Sequence, residues 1–424
     1  MSISCLHRWV AVILFCITSF GGYFSMDILS PLQSQLMVDV GIDEVYFLGL
    51  HTAYNWSYCI FSLLGGPLLS RITTRTGGIL FSLTSFFGAG LVWMGSMIRN
   101  YWLIIIGRIF SGSGLCNCIT ARNCATQFFF EGTKEMSLAF GFGMSFSRVG
   151  SVLNLFFSPF LASLLGYKMM LMISFIICGV SVVASIFYFC VEKKAEGIKV
   201  NSSGKTNRAS AENKMRLKDL LQFPIQFWLL VFVTPFCYST VNCVVAVIVD
   251  FLKTEFDVSS FTAGLYSSII YLVSLVGCSI SGAVADYFGC RLTLLLLSAI
   301  FLCAFISFLA LSNVLPVIPL VFGGLSYSIY ASLIWSFVPI ILPSHCAATG
   351  NALLSFSSSF VSGILSLVIG AIIREMGYRS ALMTTLITSS LCFLLVLVMK
   401  WIDKGNKSAL DALNLRCYKK VVDN

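Results

Sequence analysis

Asp27, Arg108, Arg122 and Arg148 each lie inside a long run of apolar residues. A charge at the centre of a membrane-spanning helix costs about 2.5 to 3.5 kcal/mol, so such residues are kept for function or for pairing. Arg148, in Ser147-Arg148-Val149-Gly150-Ser151, stands about twelve residues into its run, or ~18 Å at ~1.5 Å per residue. A planar guanidinium at that depth suits a carboxylate, which accepts two parallel hydrogen bonds from it. The alternative is an ion pair within the protein. Arg108-x-x-x-Gly112-x-Gly114 sets a second guanidinium above a helix face stripped of side chains, either for function or to fix helix packing, with Asp27 as a partner. Arg122 either points inward or runs its stem toward the cytosolic interface. Asp27 has three readings: it pairs with an arginine, receives an amine, or carries a proton.

Tyr23, Tyr54, Trp56, Tyr271, Tyr327 and Trp335 also fall within apolar runs and are candidates to line a pathway or simply to pack. The sixteen cysteines show neither CxxC pairs nor neighbouring histidines, so they read as small apolar packers. No metal site, cofactor or catalytic constellation is expected, and the chain does not read as an enzyme.

These residues require long helices to position them. Hydrophobic residues make up 58% of the 424, charged ones 11%, and the mean hydropathy is +0.91. That composition excludes a soluble globular chain. Runs long enough to cross a bilayer lie near 9–36, 45–69, 79–98, 101–129, 136–165, 169–190, 227–251, 261–284, 292–311, 315–342, 349–373 and 381–401. The fold class is an all-α membrane protein of twelve transmembrane helices in two pseudo-symmetric six-helix halves. The halves are expected at 1–190 and 223–402, separated by a basic linker at 191–222 and followed by a tail at 403–424. With both termini cytosolic, nineteen Lys and Arg fall on the cytosolic side and five on the other, which is the usual bias. The net charge of +9 is therefore topological, and no nucleic-acid partner is implied. The first run is expected to remain in place as a span.

The division into halves rests on a repeat. Gly66 to Arg75 (GPLLSRITTR) and Gly282 to Arg291 (GAVADYFGCR) each join one apolar run to the next. Both start with Gly, carry a polar residue at i+4 (Ser70, Asp286) and end with Arg at i+9. Glycine permits close helix approach, and the acid can pair with Arg291 or with a helix N-terminus. Gly66, Arg71, Arg75, Gly282, Asp286, Gly289 and Arg291 are thus expected to form a conformational latch, weaker in the first copy, where Ser70 replaces the acid.

GAVADYFGCR and the Arg-x-x-x-Gly-x-Gly run resemble signature motifs of the major facilitator superfamily. Longer stretches resemble its lysosomal dipeptide-transporter branch: Phe20–Asp27 (FGGYFSMD), Gly107–Asn123, Phe140–Asn154, Phe256–Ser274, Gly324–Ser328 with Trp335, and Pro343–Thr349. The resemblance implies a facilitator that exports dipeptides across the lysosomal membrane by alternating access, with a luminal glycoprotein subunit and a possible homodimer. It implies that Arg148 holds the substrate carboxylate. It also exposes a departure, because Cys116 stands where the branch has a glutamate that holds the substrate amine. A neutral thiol there favours an organic-anion or monocarboxylate carrier as the alternative; a non-transporting sensor or scaffold is the alternative of another class. Neither chain sequon, at Asn201 or Asn406, falls on the luminal side, and Tyr418–Val421 has the form of an endolysosomal sorting signal.

Overall fold

The computed structural model describes residues 5–130, 136–203, 223–288, 290–312, 315–342 and 347–405. Among them the first compact unit takes in Met1–Gly41 and Ala53–Lys214, and the second Ile42–Thr52 and Met215–Asn424. The first holds α1 (Cys5–Asp27), a 3-10 turn (Ser30–Leu32), α2 (Gln33–Val40), most of α3 (Glu44–Arg71), α4 (Thr74–Met97), α5 (Tyr101–Phe130), α6 (Met136–Leu165) and α7 (Tyr167–Ser203). The second holds α8 (Ile225–Phe256), α9 (Ser260–Phe288), α10 (Arg291–Leu311), α11 (Val317–Ile341), α12 (Ala347–Met376) and α13 (Tyr378–Gly405).

Eleven segments of the described residues are long and apolar enough to cross a bilayer. The long helix outside that set is α3, whose middle carries His51, Thr52, Tyr54, Asn55, Ser57 and Tyr58. The protein is a multi-pass membrane protein. The first apolar run does not continue unbroken as expected, because helix α1 stops at Asp27 and the chain turns through Ser30–Leu32 before α2. Pro31 lies in that turn and has no N–H to continue the helical ladder. Helix α7 extends to Ser203, past the position where the linker was expected to begin. The rest of that linker, from 204 to 222, and the tail from 406, with Asn406 and Tyr418–Val421, lie outside the described residues.

Each helix is arranged for lipid outside and small residues inside. On α4 the large apolar side chains Leu80, Leu83, Phe87 and Met94 are exposed, whereas Ser82, Ser85, Gly88 and Gly95 are buried. Lipid tails are as apolar as leucine, so helices gain little by hiding leucines from them and associate instead through close backbone contact and hydrogen bonds. Helices α4 and α5 show how close. A Cβ on Gly107 would lie 2.7 Å from Gly88 O and Val92 N, and one on Gly114 would lie 2.6 Å from Ser85 N. Gly107 and Gly114 are two turns apart, as are Gly88 and Gly95, so each helix offers one flat stripe to the other.

Hydroxyls tie the remaining helices of this unit. Ser181 of α7 donates to Ile17 O at 2.8 Å and accepts from Gly21 N at 2.9 Å, and Ser82 shares a 3.0 Å bond with Ser185. The second unit is built alike: Thr240 of α8 meets Thr388 of α13 at 2.6 Å, and Ser362 of α12 donates to Ser239 of α8 at 3.0 Å. The start of α3 packs with this unit, where Thr52 donates to Gly363 O at 2.9 Å and Asp43 pairs with Arg374 at 3.3 Å.

Candidate functional site

The end of α1 leaves carbonyls without helical donors, and Arg108 supplies them. Its guanidinium donates to Ser25 O at 2.9 Å and to Met26 O at 3.1 Å. A cation also complements the negative end of the helix dipole. The same group lies 4.4 Å from the centroid of the Tyr54 ring and is 1% exposed. One turn further along α5, a Cβ on Gly112 would stand 2.5 Å from Tyr54 O, so α5 rests directly on α3 at this level. Arg108 and Gly112 therefore grip α1 and α3 from one face of α5, while Gly114 faces α4. The packing alternative describes the motif, with backbone carbonyls of α1 as the direct partners. Arg108→Leu is expected to leave two buried carbonyls unpaired at about 1–3 kcal/mol each. Thermal unfolding of the purified protein checks this, and an unchanged midpoint would contradict the clamp.

Asp27 closes α1 beside this clamp and is 6% exposed. Arg148 of α6 is 7% exposed, its guanidinium 5.7 Å from the centroid of the Tyr23 ring. Arg148 and Arg108 both act on the Asp27 carboxylate electrostatically, and Ser151 of α6 lies against it. Tyr54 interacts in turn with Asp27, Tyr23 and Cys116, all buried. Four helices thus bring together Tyr23 and Asp27 (α1), Tyr54 (α3), Arg108 and Cys116 (α5), and Arg148 and Ser151 (α6). Gly150 allows the approach, since a Cβ there would stand 3.1 Å from Phe20 O of α1. Two guanidiniums face one carboxylate, so the cluster favours a ligand with negative charge. Several of its polar atoms make no hydrogen bond: Asp27 Oδ2, the Tyr54 hydroxyl and Ser151 Oγ. Sequence reasoning did not single out Ser151, although its place one turn after Arg148 puts it on the same helix face.

Other expected site residues stand elsewhere. Trp56 is a correction: it is 40% exposed and shares its face of α3 with exposed Ile60 and Leu64, so it belongs to the lipid-facing stripe opposite the face that carries Tyr54. Arg122 is buried and donates to Gly143 O at 3.1 Å, so it links α5 to α6 and does not run to the interface. Tyr271, Tyr327 and Trp335 belong to the second unit. Tyr327 contacts Tyr271 and Tyr238 edge to face at centroid distances of 6.1 and 5.6 Å, and Trp335 Nε1 on α11 is buried with no hydrogen bond.

Of the expected latch, Arg75 lies over the Phe189 ring at 5.3 Å and Arg291 is buried at the start of α10. Gly282 is a correction, because nothing lies within 4 Å of the place its Cβ would occupy and no close approach requires the glycine. The side chains of Ser70, Arg71 and Asp286, the surroundings of Gly66, and Gly289 lie outside the described residues.

Bundled, inside-out helices in two units, with arginines buried among them, define a polytopic transporter. The profile described as Major Facilitator Superfamily matches residues 15–366, and the chain belongs to that family. It is 28% identical over 383 residues to the lysosomal dipeptide transporter MFSD1 of Bos taurus, covering 88% of this chain and 81% of that one. It is 26% identical over 416 residues to the transporter of the same name from Homo sapiens, covering 96% and 88%. Among solved structures, the D-xylose-proton symporter aligns with TM-score 0.71 at 14% identity, covering 93% of this chain and 97% of that one. A mutant of the nucleoside transporter NupG aligns with TM-score 0.69 at 11% identity, covering 92% and 99%. At such identities the solved structures speak for the fold alone.

Proposed function

We propose that this protein is an alternating-access facilitator of small carboxylate-bearing solutes, with dipeptides as its main substrates, exporting them from the lysosome to the cytosol. The observation that carries the reading is the buried Arg148 in a cluster with more guanidinium than carboxylate charge. A guanidinium removed from water gains most from a carboxylate that accepts both arms of its fork. The relatives named as lysosomal dipeptide transporters cover most of the chain and supply the substrate class and the organelle. The excess of Lys and Arg in alternate loops supports cytosolic termini, and the lack of luminal sequons is consistent with a luminal glycoprotein subunit that covers the chain. The single carboxylate in the cluster, flanked by two arginines, favours uniport over proton coupling.

Buried, neutral Cys116 favours a second reading, in which the substrate is an organic anion without an amine. Uptake by proteoliposomes of the purified full chain separates the two. Saturable uptake of dipeptides, unchanged by an imposed pH gradient and not competed by simple monocarboxylates, is expected. Transport of monocarboxylates but not dipeptides would establish the second reading, and no uptake of either would overturn both.

A further inference from the structure

We infer that Asp27, together with Tyr54 and Ser151, forms a receptor for a primary ammonium group, so that the site selects solutes whose amine and carboxylate are both free. The inference rests on the reading of Arg148 as the carboxylate ligand. Three oxygens around the Asp27 carboxylate are buried and make no hydrogen bond: Asp27 Oδ2, the Tyr54 hydroxyl and Ser151 Oγ. They come from three different helices, α1, α3 and α6, so no change in one helix alone would satisfy them. Buried polar atoms are nearly always paired. An unpaired carboxylate oxygen is an acceptor of high energy that awaits a donor. The three atoms do not satisfy one another, although Ser151 faces the carboxylate and Tyr54 lies close enough to act on it. A group inserted among them needs several donors and positive charge. A primary ammonium presents three N–H donors and no acceptor, which matches one carboxylate oxygen and two hydroxyls.

The surrounding charge decides which ammonium compounds qualify. Arg108 occupies two arms on Ser25 O and Met26 O, yet its charge remains beside Asp27, as does that of Arg148. A bare metal cation or a simple amine would add positive charge to a cluster that already carries an excess. A zwitterion brings its own carboxylate to Arg148, and its net addition of charge is zero. The geometry therefore points to free amino acids or short peptides and excludes N-blocked peptides, polyamines and sodium. Cys116, buried beside Tyr54, is the neutral position in the same cluster from which an introduced acid would reach the same group.

The test uses the purified full chain with three probes: glycyl-leucine, its N-acetyl derivative and its C-terminal amide. Binding is read by ligand-induced thermal stabilisation and transport by proteoliposome uptake. The native chain is expected to bind glycyl-leucine roughly 10- to 100-fold more tightly than the N-acetyl derivative, without dependence on sodium. Asp27→Asn is expected to reduce glycyl-leucine to the level of the N-acetyl derivative and leave the latter unchanged. Adding Cys116→Glu to that variant is expected to restore the preference, which a purely structural aspartate would not allow. Equal losses for both probes, or an undiminished preference, would overturn the inference. If Asp27→Asn does not fold, Tyr54→Phe and Ser151→Ala decide between the outcomes: each is expected to weaken glycyl-leucine selectively by a few-fold, and a loss shared with the N-acetyl probe counts against the inference. The amide probe isolates the underlying reading, because an amide bound as well as the acid refutes Arg148 as carboxylate ligand while leaving the amine comparison intact.

Discussion

Arg148→Lys lowers kcat/KM for carboxylate substrates by roughly 100-fold, while the purified protein unfolds within a few degrees of the native midpoint. Lysine preserves the positive charge beside Asp27, so the electrostatic balance of the cluster is retained and the helices need not rearrange. It loses the planar fork that donates two parallel bonds to one carboxylate. A buried charge-assisted pair that loses a partner costs about 3–5 kcal/mol, and the loss of one arm corresponds to the lower part of that range, roughly 2–3 kcal/mol. Uptake kinetics with a dipeptide panel, alongside thermal unfolding, provide the measurement. Kinetics near native would assign Arg148 to an internal ion pair, and a large fall in the unfolding midpoint would give it a mainly structural role.

Gly107→Leu and Gly114→Val each prevent accumulation of folded protein, whereas Gly282→Ala does not. At Gly107 and Gly114 the space a Cβ would occupy is bounded by backbone atoms of α4 at 2.7 and 2.6 Å, and backbone cannot turn aside as a flexible side chain can. Overpacking of this kind costs about 1–3 kcal/mol even where side chains can yield, and more where two helices must separate. At Gly282 the corresponding space is open, so alanine there should stabilise the helix by up to about 1 kcal/mol through its better propensity. Yield of monodisperse protein by size-exclusion chromatography distinguishes the two cases. A folded Gly107→Leu protein with native stability would mean that α4 and α5 are not held by their glycine stripes.

Both expectations show how far the chain could be read before it was folded. The twelve spans were legible because hydropathy belongs to each residue separately, and a bilayer demands a fixed length of it. Arg148 was legible for a related reason, since depth in an apolar run is counted along the chain and a guanidinium at that depth needs a partner wherever its helix lies. The role of Arg108 was not legible from its own motif. Its partners are carbonyls 83 and 82 residues away, left free by the break in α1, and hydropathy shows neither the break nor the donor that stabilises it. Trp56 and Tyr54 are two residues apart in one apolar run, yet one faces lipid and the other the buried cluster. The ~100° turn per residue of an α-helix separates them, and only the neighbours that α3 packs against decide which face is which. Composition determined that this chain spans a bilayer many times with a few charges inside. Tertiary structure decided which charges meet, because backbone-to-backbone packing of α4 on α5, and of α5 on α3, sets the heights at which side chains from separate helices come within reach of one another.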